Sequence, residues 1–229
     1  MDMIMRKRNF MIIAAMLLAV CLTSCTKDPD LPTGSYGSYY GHVYVDLGLP
    51  SGTLWATCNV GADTPEDYGD YFAWGETQPK DTYNWSTYQY CNGSYNTLTK
   101  YCTDSGFGYN GFTDNLTVLQ ASDDAATANW GSGWSMPTKA QWEELESNTT
   151  VTWTTQNGVK GRKFTASNGN SLFLPAALDT GRIGFYWSSS LKTPNAAWVL
   201  CFHSSDYDMR GSLRYVGLSV RAVRFASQN

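Results

Sequence analysis

The side chains with chemistry to offer gather near the C-terminus, between Lys192 and Tyr215. His203, Asp206, Tyr207, Asp208, Arg210, Ser212 and Tyr215 supply an imidazole, two carboxylates, a guanidinium, hydroxyls and two aromatic rings. Aromatic faces mixed with adaptable hydrogen-bonding groups make a recognition surface. Tyr207 and Tyr215, set among polar neighbours, are expected to face solvent and supply contact area at low entropic cost. Asp206, Asp208, Arg210 and His203 would set polar specificity. Trp198 reads as core. Catalysis has less to draw on. His42 and His203 are the only histidines, far apart in the chain, and no nucleophile motif accompanies them. Glu143, Glu144 and Glu146 could act as acid or base, but their spacing beside a helix seam reads as its solvated face. No cysteine or histidine spacing matches a zinc site. A binding protein without metal or cofactor is expected, not an enzyme.

These residues sit among segments rich in aromatic and β-branched side chains. Tyr186–Ser189, Ala196–Leu200 and Leu218–Val223 read as strands, with a polar, irregular span at 203–215 between the second and third. Upstream, Gly41–Asn59 reads as a hairpin turning at Leu49-Pro50-Ser51-Gly52. Residues 78–115 show no period and are full of Tyr, Asn, Ser and Gly, as in a long functional loop packed by its own aromatics. Leu116–Trp130 is helical in part, with Ser122 as N-cap and Asp123 and Asp124 in the first turn. Lys139–Glu146 makes a second helix, opened by a Thr138/Gln141 capping box and burying Ala140, Trp142 and Leu145. Asn157-Gly158 and Asn168-Gly169, each between β-rich runs, predict a small antiparallel meander through type I′ turns.

The first residues address the chain elsewhere. Arg6-Lys7-Arg8 precedes an apolar Phe10–Val20 too short to span a bilayer, and Leu22-Thr23-Ser24-Cys25 matches a bacterial lipobox. Residues 1–24 are thus expected as a signal peptide, with Cys25 lipidated. The acidic pair in Thr26-Lys27-Asp28-Pro29-Asp30 resembles the export signal of Bacteroidetes surface lipoproteins, a resemblance that implies an outer-membrane lipoprotein exposed on the cell surface. Residues 25–40 read as a flexible tether and 41–229 as one domain. Loss of Asp2, Arg6, Lys7 and Arg8 leaves 13 basic and 19 acidic residues, net −6, which argues against nucleic acid as a partner. Cys58, Cys91, Cys102 and Cys201 permit disulfides, Cys91 and Cys102 being closest in sequence.

Three blocks in order resemble a known family: DLGLPSGTLWATCNVGA (46–62) with YGDYFAWGE, then DDAATANWGSGWSMPTKAQWEEL (123–145), then FLPAALDTGRIGFYWSSS with GLSVRAVRF. They are similar to the Fibrobacter-type major paralogous domain, itself related to the C-type-lectin-like fold shared with formylglycine-generating enzymes. The resemblance implies an α+β, C-type-lectin-like domain: two short helices on small antiparallel sheets, long loops, paired terminal strands, and a ligand face built by the loops before the last strand. It also resembles variable proteins of diversity-generating retroelements at Tyr186–Ser190, Ala197, Trp198, Leu200, Phe202, Arg214, Gly217 and Ser219–Arg221. In that scheme the intervening Cys201, His203, Asp206, Asp208, Arg210, Gly211, Ser212, Leu213 and Tyr215 are reachable from adenine-rich AAY codons, while Lys192 and Met209 are not. Calcium-lectin chemistry does not carry over, because Thr193-Pro194-Asn195 and Trp187-Ser188-Ser189 lack the carboxylates. Formylglycine-forming oxidation does not either, since Cys201 is the one cysteine near the C-terminus.

The expected ligand-binding residues are Lys192, Asn195, His203, Asp206, Tyr207, Asp208, Arg210, Ser212, Leu213 and Tyr215, facing a protein or glycan ligand. The alternative is a structural or adhesive component of the envelope, such as a fimbria-associated protein.

Overall fold

The computed structural model describes residues 36–179 and 181–225. The leader, the lipobox and Cys25 lie outside them. The chain is α+β: three small, largely antiparallel sheets, two helices and long loops. Among the described residues no helix is long and apolar enough to cross a membrane.

Strands β1 (Tyr36–Tyr39), β2 (His42–Asp46) and β3 (Thr53–Asn59) open the chain. The expected hairpin holds, with Val45 opposite Trp55. Gly52 takes φ +72° and its N–H bonds Leu49 O at 2.9 Å. One boundary moves: Tyr36–Tyr39, read as the end of the tether, is a strand paired along its length with β2. The backbone turns there through Tyr40 and Gly41, both at positive φ.

After β4 (Tyr71–Phe72) the chain runs irregularly to helix α1 (Ala125–Trp130), passing single 3₁₀ turns at Tyr109–Gly111 and Ala121–Asp123. The cap of α1 is Asp124, not Ser122. Its carboxylate accepts the N–H groups of Ala126, Thr127 and, from beyond the helix, Met136, at 2.8–3.0 Å. Helix α2 (Lys139–Asn148) opens with the expected capping box. Trp142 and Leu145 are buried, whereas Ala140 is exposed.

The meander is present as β5 (Thr149–Gln156), β6 (Val159–Ala166) and β7 (Ser171–Pro175). Asn157 and Gly158 both take positive φ, as a type I′ turn demands. In the second turn only Gly169 does, so that turn is not type I′.

The last strands are β8 (Gly184–Thr193), β9 (Ala196–Phe202), β10 (Tyr207–Leu213), β11 (Leu218–Ser219) and β12 (Arg221–Phe225). They complete two sheets, ordered β1-β2-β3-β12 and β10-β9-β8-β11-β4, beside β5-β6-β7. Between β11 and β12 the chain changes sheets at Val220, whose carbonyl accepts Val60 N–H at 2.9 Å. The central strands are buried on both faces, so consecutive residues serve different cores. Trp187 and Val199 join Trp74, Tyr101, Trp130 and Trp134, while Tyr186 and Leu200 join Trp55, Trp142, Phe164 and Leu174.

The span read as irregular is the largest correction. Tyr207 pairs with Phe202 and each residue thereafter with its partner, to Leu213 opposite Ala196. What stays irregular of that span is the four-residue turn His203–Asp206, closed by His203 N–H to Asp206 O at 2.9 Å, and the turn residues Arg214 and Tyr215 after β10.

Candidate ligand-contact surface

Arg214 builds this surface, from the inside. It follows β10 directly and is fully buried. Its Nε donates to Tyr88 Oη (2.9 Å), Nη1 to Tyr101 O (3.0 Å) and Pro194 O (2.8 Å), and Nη2 to Lys100 O (2.9 Å). Its guanidinium lies 5.1 Å from the Trp74 ring centre and 5.2 Å from that of Tyr88. Tyr88 Oη donates its own hydrogen bond to Trp74 O, and Trp74 N–H donates to Arg214 O. One planar cation with a forked set of donors thus ties three segments together: loop 78–115, the β8–β9 turn and the exit of β10. A buried charge is tolerable only with such satisfaction.

The long loop is irregular yet heavily bonded. Asp114 accepts the N–H groups of Tyr101 and Cys102 at 2.7 and 2.8 Å, holding Tyr101 at φ +57°, a conformation that costs a large residue free energy. Tyr101 Oη donates to Asp123, which also pairs with Lys100 Nζ at 2.5 Å. Burial pushes the Asp123 carboxyl up, but hydrogen bonds from Lys100, Tyr101, Tyr90 and Ser122 outweigh it and leave it below the ordinary carboxylate range. Between these anchors Tyr95, Tyr109 and Phe112 are exposed, and Tyr95 meets Phe107 edge-on at 6.1 Å. Trp85 meets Tyr215 edge-on at 5.0 Å.

The expected contact residues cluster at the two ends of β10, with Arg210 at its middle. Near the Arg214 anchor are Lys192, Asn195, Ser212, Leu213 and Tyr215. Asn195 Oδ1 accepts from Thr193 Oγ1 at 3.1 Å, its carbonyl accepts Arg214 N–H, and Leu213 is 39 % exposed. At the other end are His203, Asp206, Tyr207 and Asp208, and Arg210 reaches back toward them from mid-strand. With about 3.4 Å rise per residue in an antiparallel strand, the seven residues of β10 separate its ends by roughly 20 Å. The strand also alternates faces. Tyr207 and Met209 pack against the core under α2, and Arg162 stacks over the Tyr207 ring at 4.8 Å. Tyr207 and Tyr215 are therefore half-buried rather than solvent-facing. Asp208 and Arg210 point the other way, where Arg210 bonds both Asp208 (2.5 Å) and Asp206 (3.1 Å) and offsets one of the two negative charges. His203 Nδ1 lies 3.2 Å from Ser205 Oγ.

Three further residues depart from expectation. Trp198 is half-buried, not core. Its ring is overlain by Lys192 Nζ at 4.2 Å and Lys139 Nζ at 4.9 Å, and the absence of a side chain at Gly211 gives the Lys192 stem room to cross. Glu144 bonds the Ser51 N–H and hydroxyl. Glu146 is half-buried beneath β10. Desolvation, then Glu143 and Asp208, push its carboxyl up to about 7, and Oε1 has no hydrogen-bond partner among the described residues. Cys91, Cys102 and Cys201 are free thiols, so the pairing of Cys91 with Cys102 is not made.

Sequence reasoning missed Trp85 as the companion of Tyr215; the aromatic density of its aperiodic stretch was the available signal. Elsewhere, a cleft of about 360 Å³ opens between Tyr36, Pro65, Gln156, Asn157, Lys163 and Phe173, none of them a residue of this surface. Among the described residues no cluster of three or more His, Cys, Asp or Glu side chains could hold a metal. The chain matches no protein-family model, no curated protein and no solved structure.

Proposed function

We propose that this chain is a cell-surface lipoprotein whose C-type-lectin-like domain binds a protein or glycan ligand without catalysing a reaction. The observation that carries the reading is the Arg214 anchor. It spends a fully buried cation to hold a long aromatic loop against the β8–β9 turn and Tyr215. Rigid aromatic side chains on a pre-ordered loop give contact area without a large ordering cost. The lectin-like assignment is supported by β12, the last strand, pairing inside the sheet begun by β1–β3, with two helices and one long bonded loop between. The lipid anchor rests on the lipobox alone.

A panel of immobilised glycans and outer-membrane proteins, probed with the purified chain, tests the reading. The ligand retained should be lost at least tenfold on Tyr215→Ala or Trp85→Ala, with the thermal midpoint little changed. Equal retention by both variants would move the site elsewhere. Diversification has its own test in the flanking DNA: a repeat of codons 186–224 that differs only at adenines, beside a reverse transcriptase gene.

A further inference from the structure

The three sheets leave several edges, and they are not guarded alike. At β10 the edge carries Asp208 and Arg210, with Asp206 beside them. Charged side chains of this kind keep an edge from pairing with another chain. The outer edge of β5 has no such device. Its sequence, Thr149 to Gln156 (TTVTWTTQ), contains no charge, proline or glycine. All eight residues stay in register with β6, without a bulge to twist the edge away. Among the described residues nothing bonds its outer side.

The direction of its free backbone groups follows from the turn. Gln156 and Val159 flank a two-residue type I′ loop and so form the hydrogen-bonded pair that closes the hairpin. Even-numbered residues from Thr150 to Gln156 therefore bond β6. Thr149, Val151, Trp153 and Thr155 turn their N–H and C=O outward. An antiparallel partner must match outward residue with outward residue, and the strand can do this with itself. About a two-fold axis through Thr152, Val151 meets Trp153 of the other copy, Thr149 meets Thr155, Thr150 meets Thr154, and Thr152 meets Thr152. Every outward backbone group then has a partner. Thr–Thr and aromatic–β-branched pairs are favourable cross-strand neighbours, and no like charges are opposed. Val151 and Trp153 already pack against the core under α2, so the pairing extends that apolar face across the seam.

From this self-complementarity we infer that β5 is a dimerisation edge, joining two copies into a continuous six-stranded sheet across an isologous two-fold interface. The contact is a strand edge rather than a broad patch, so the dimer is weak in dilute solution and favoured where copies are concentrated on one surface. Two ligand surfaces on one dimer would act bivalently.

Cysteine crosslinking in cells expressing the full-length chain tests the register. Thr152 faces itself across the axis as a non-hydrogen-bonded pair, with Cα atoms about 4.5 Å apart, within disulfide reach. Thr152→Cys should give a disulfide-linked dimer on a non-reducing gel. Thr150→Cys, equally exposed but opposite Thr154, and the unaltered chain should not. Adding Thr154→Cys to Thr150→Cys should restore the crosslink. No crosslink at Thr152→Cys, or equal crosslinking at Thr150→Cys alone, overturns the inference. In a second measurement, sedimentation in mild detergent should show a mass that doubles between about 1 and 100 μM. Thr152→Lys should hold it at one copy while Arg210→Glu leaves the doubling intact. A dimer that survives Thr152→Lys overturns the inference as well.

Discussion

Arg214 and Glu146 are buried to different degrees and pull in opposite directions. Arg214 is charged where each of its three nitrogens has an acceptor, so removing it leaves the carbonyls of Lys100, Tyr101 and Pro194 without their donor. Arg214→Met should cost about 3 kcal/mol or more, since each buried acceptor left without its donor costs about 1–3 kcal/mol. Amide exchange should also rise across residues 83–101 more than in β5–β7. Urea unfolding with exchange mass spectrometry reads both, and a uniform rise would remove the anchor argument. Glu146 is charged where it is poorly satisfied. Its folded carboxyl titrates near 7 against an ordinary value of 4.5. Between those values the folded state binds more protons than the unfolded one, so stability falls as pH rises from about 4.5 to about 7. Glu146→Gln should flatten that fall and stabilise the protein at pH 8. Allowing for solvent screening of a half-buried group, the gain is on the order of 1 kcal/mol. Thermal midpoints of both forms from pH 4 to pH 8 would show it, and parallel curves would rule it out.

The helices are short and depend on their ends. Asp124 caps α1 and also holds the Met136 N–H, joining the helix start to the segment that leads into α2. Asp124→Ala should cost about 2 kcal/mol, at the upper end for a cap, while Ser122→Ala should stay within about 0.5 kcal/mol. Chemical denaturation of the pair decides which residue is the cap. The edge strand β10 divides its mutants in the same manner. Tyr207→Ala removes a ring packed under Arg162 and should cost about 1–3 kcal/mol. Asp208→Ala and Arg210→Ala should leave the midpoint unmoved. If all three behave alike, β10 does not alternate between core and solvent.

For the whole molecule, stability and binding are expected to reside in different residues. Trp187→Ala or Val220→Ala empties fully buried volume and should cost about 2–5 kcal/mol. Tyr215→Ala and Leu213→Ala should instead weaken ligand retention. Paired denaturation curves and ligand titrations on both sets test this partition, which fails if the surface variants unfold as readily as the core ones. Chelation should leave the midpoint and binding unchanged; a large loss of either would restore a calcium-lectin reading. Palmitate-analogue labelling should mark the wild type and spare Cys25→Ser, and equal labelling would sink the anchor.

Local chemistry was legible wherever the physical cause is local. Asn157-Gly158 can supply two positive-φ positions, Thr138 and Gln141 can satisfy each other's helix terminus, and the aperiodic, aromatic 78–115 stretch is a loop. Fold class and the outlines of the meander follow from such signals. The cap of α1 was misplaced by two residues because Asp124 wins through Met136 N–H, a partner brought near only by the fold. Residues 207–213 carried an alternation, Tyr207 and Met209 against Asp208 and Arg210, but strand formation there depends on the ladder β9 offers, which no window of sequence contains. The candidate surface was half visible. Tyr215, Leu213 and Asn195 were named, but their union with Trp85 and the separation of His203 and Asp206 by a strand's length were not. Those distances are set by register and by one buried guanidinium reaching two segments remote in sequence, so tertiary structure alone decided them.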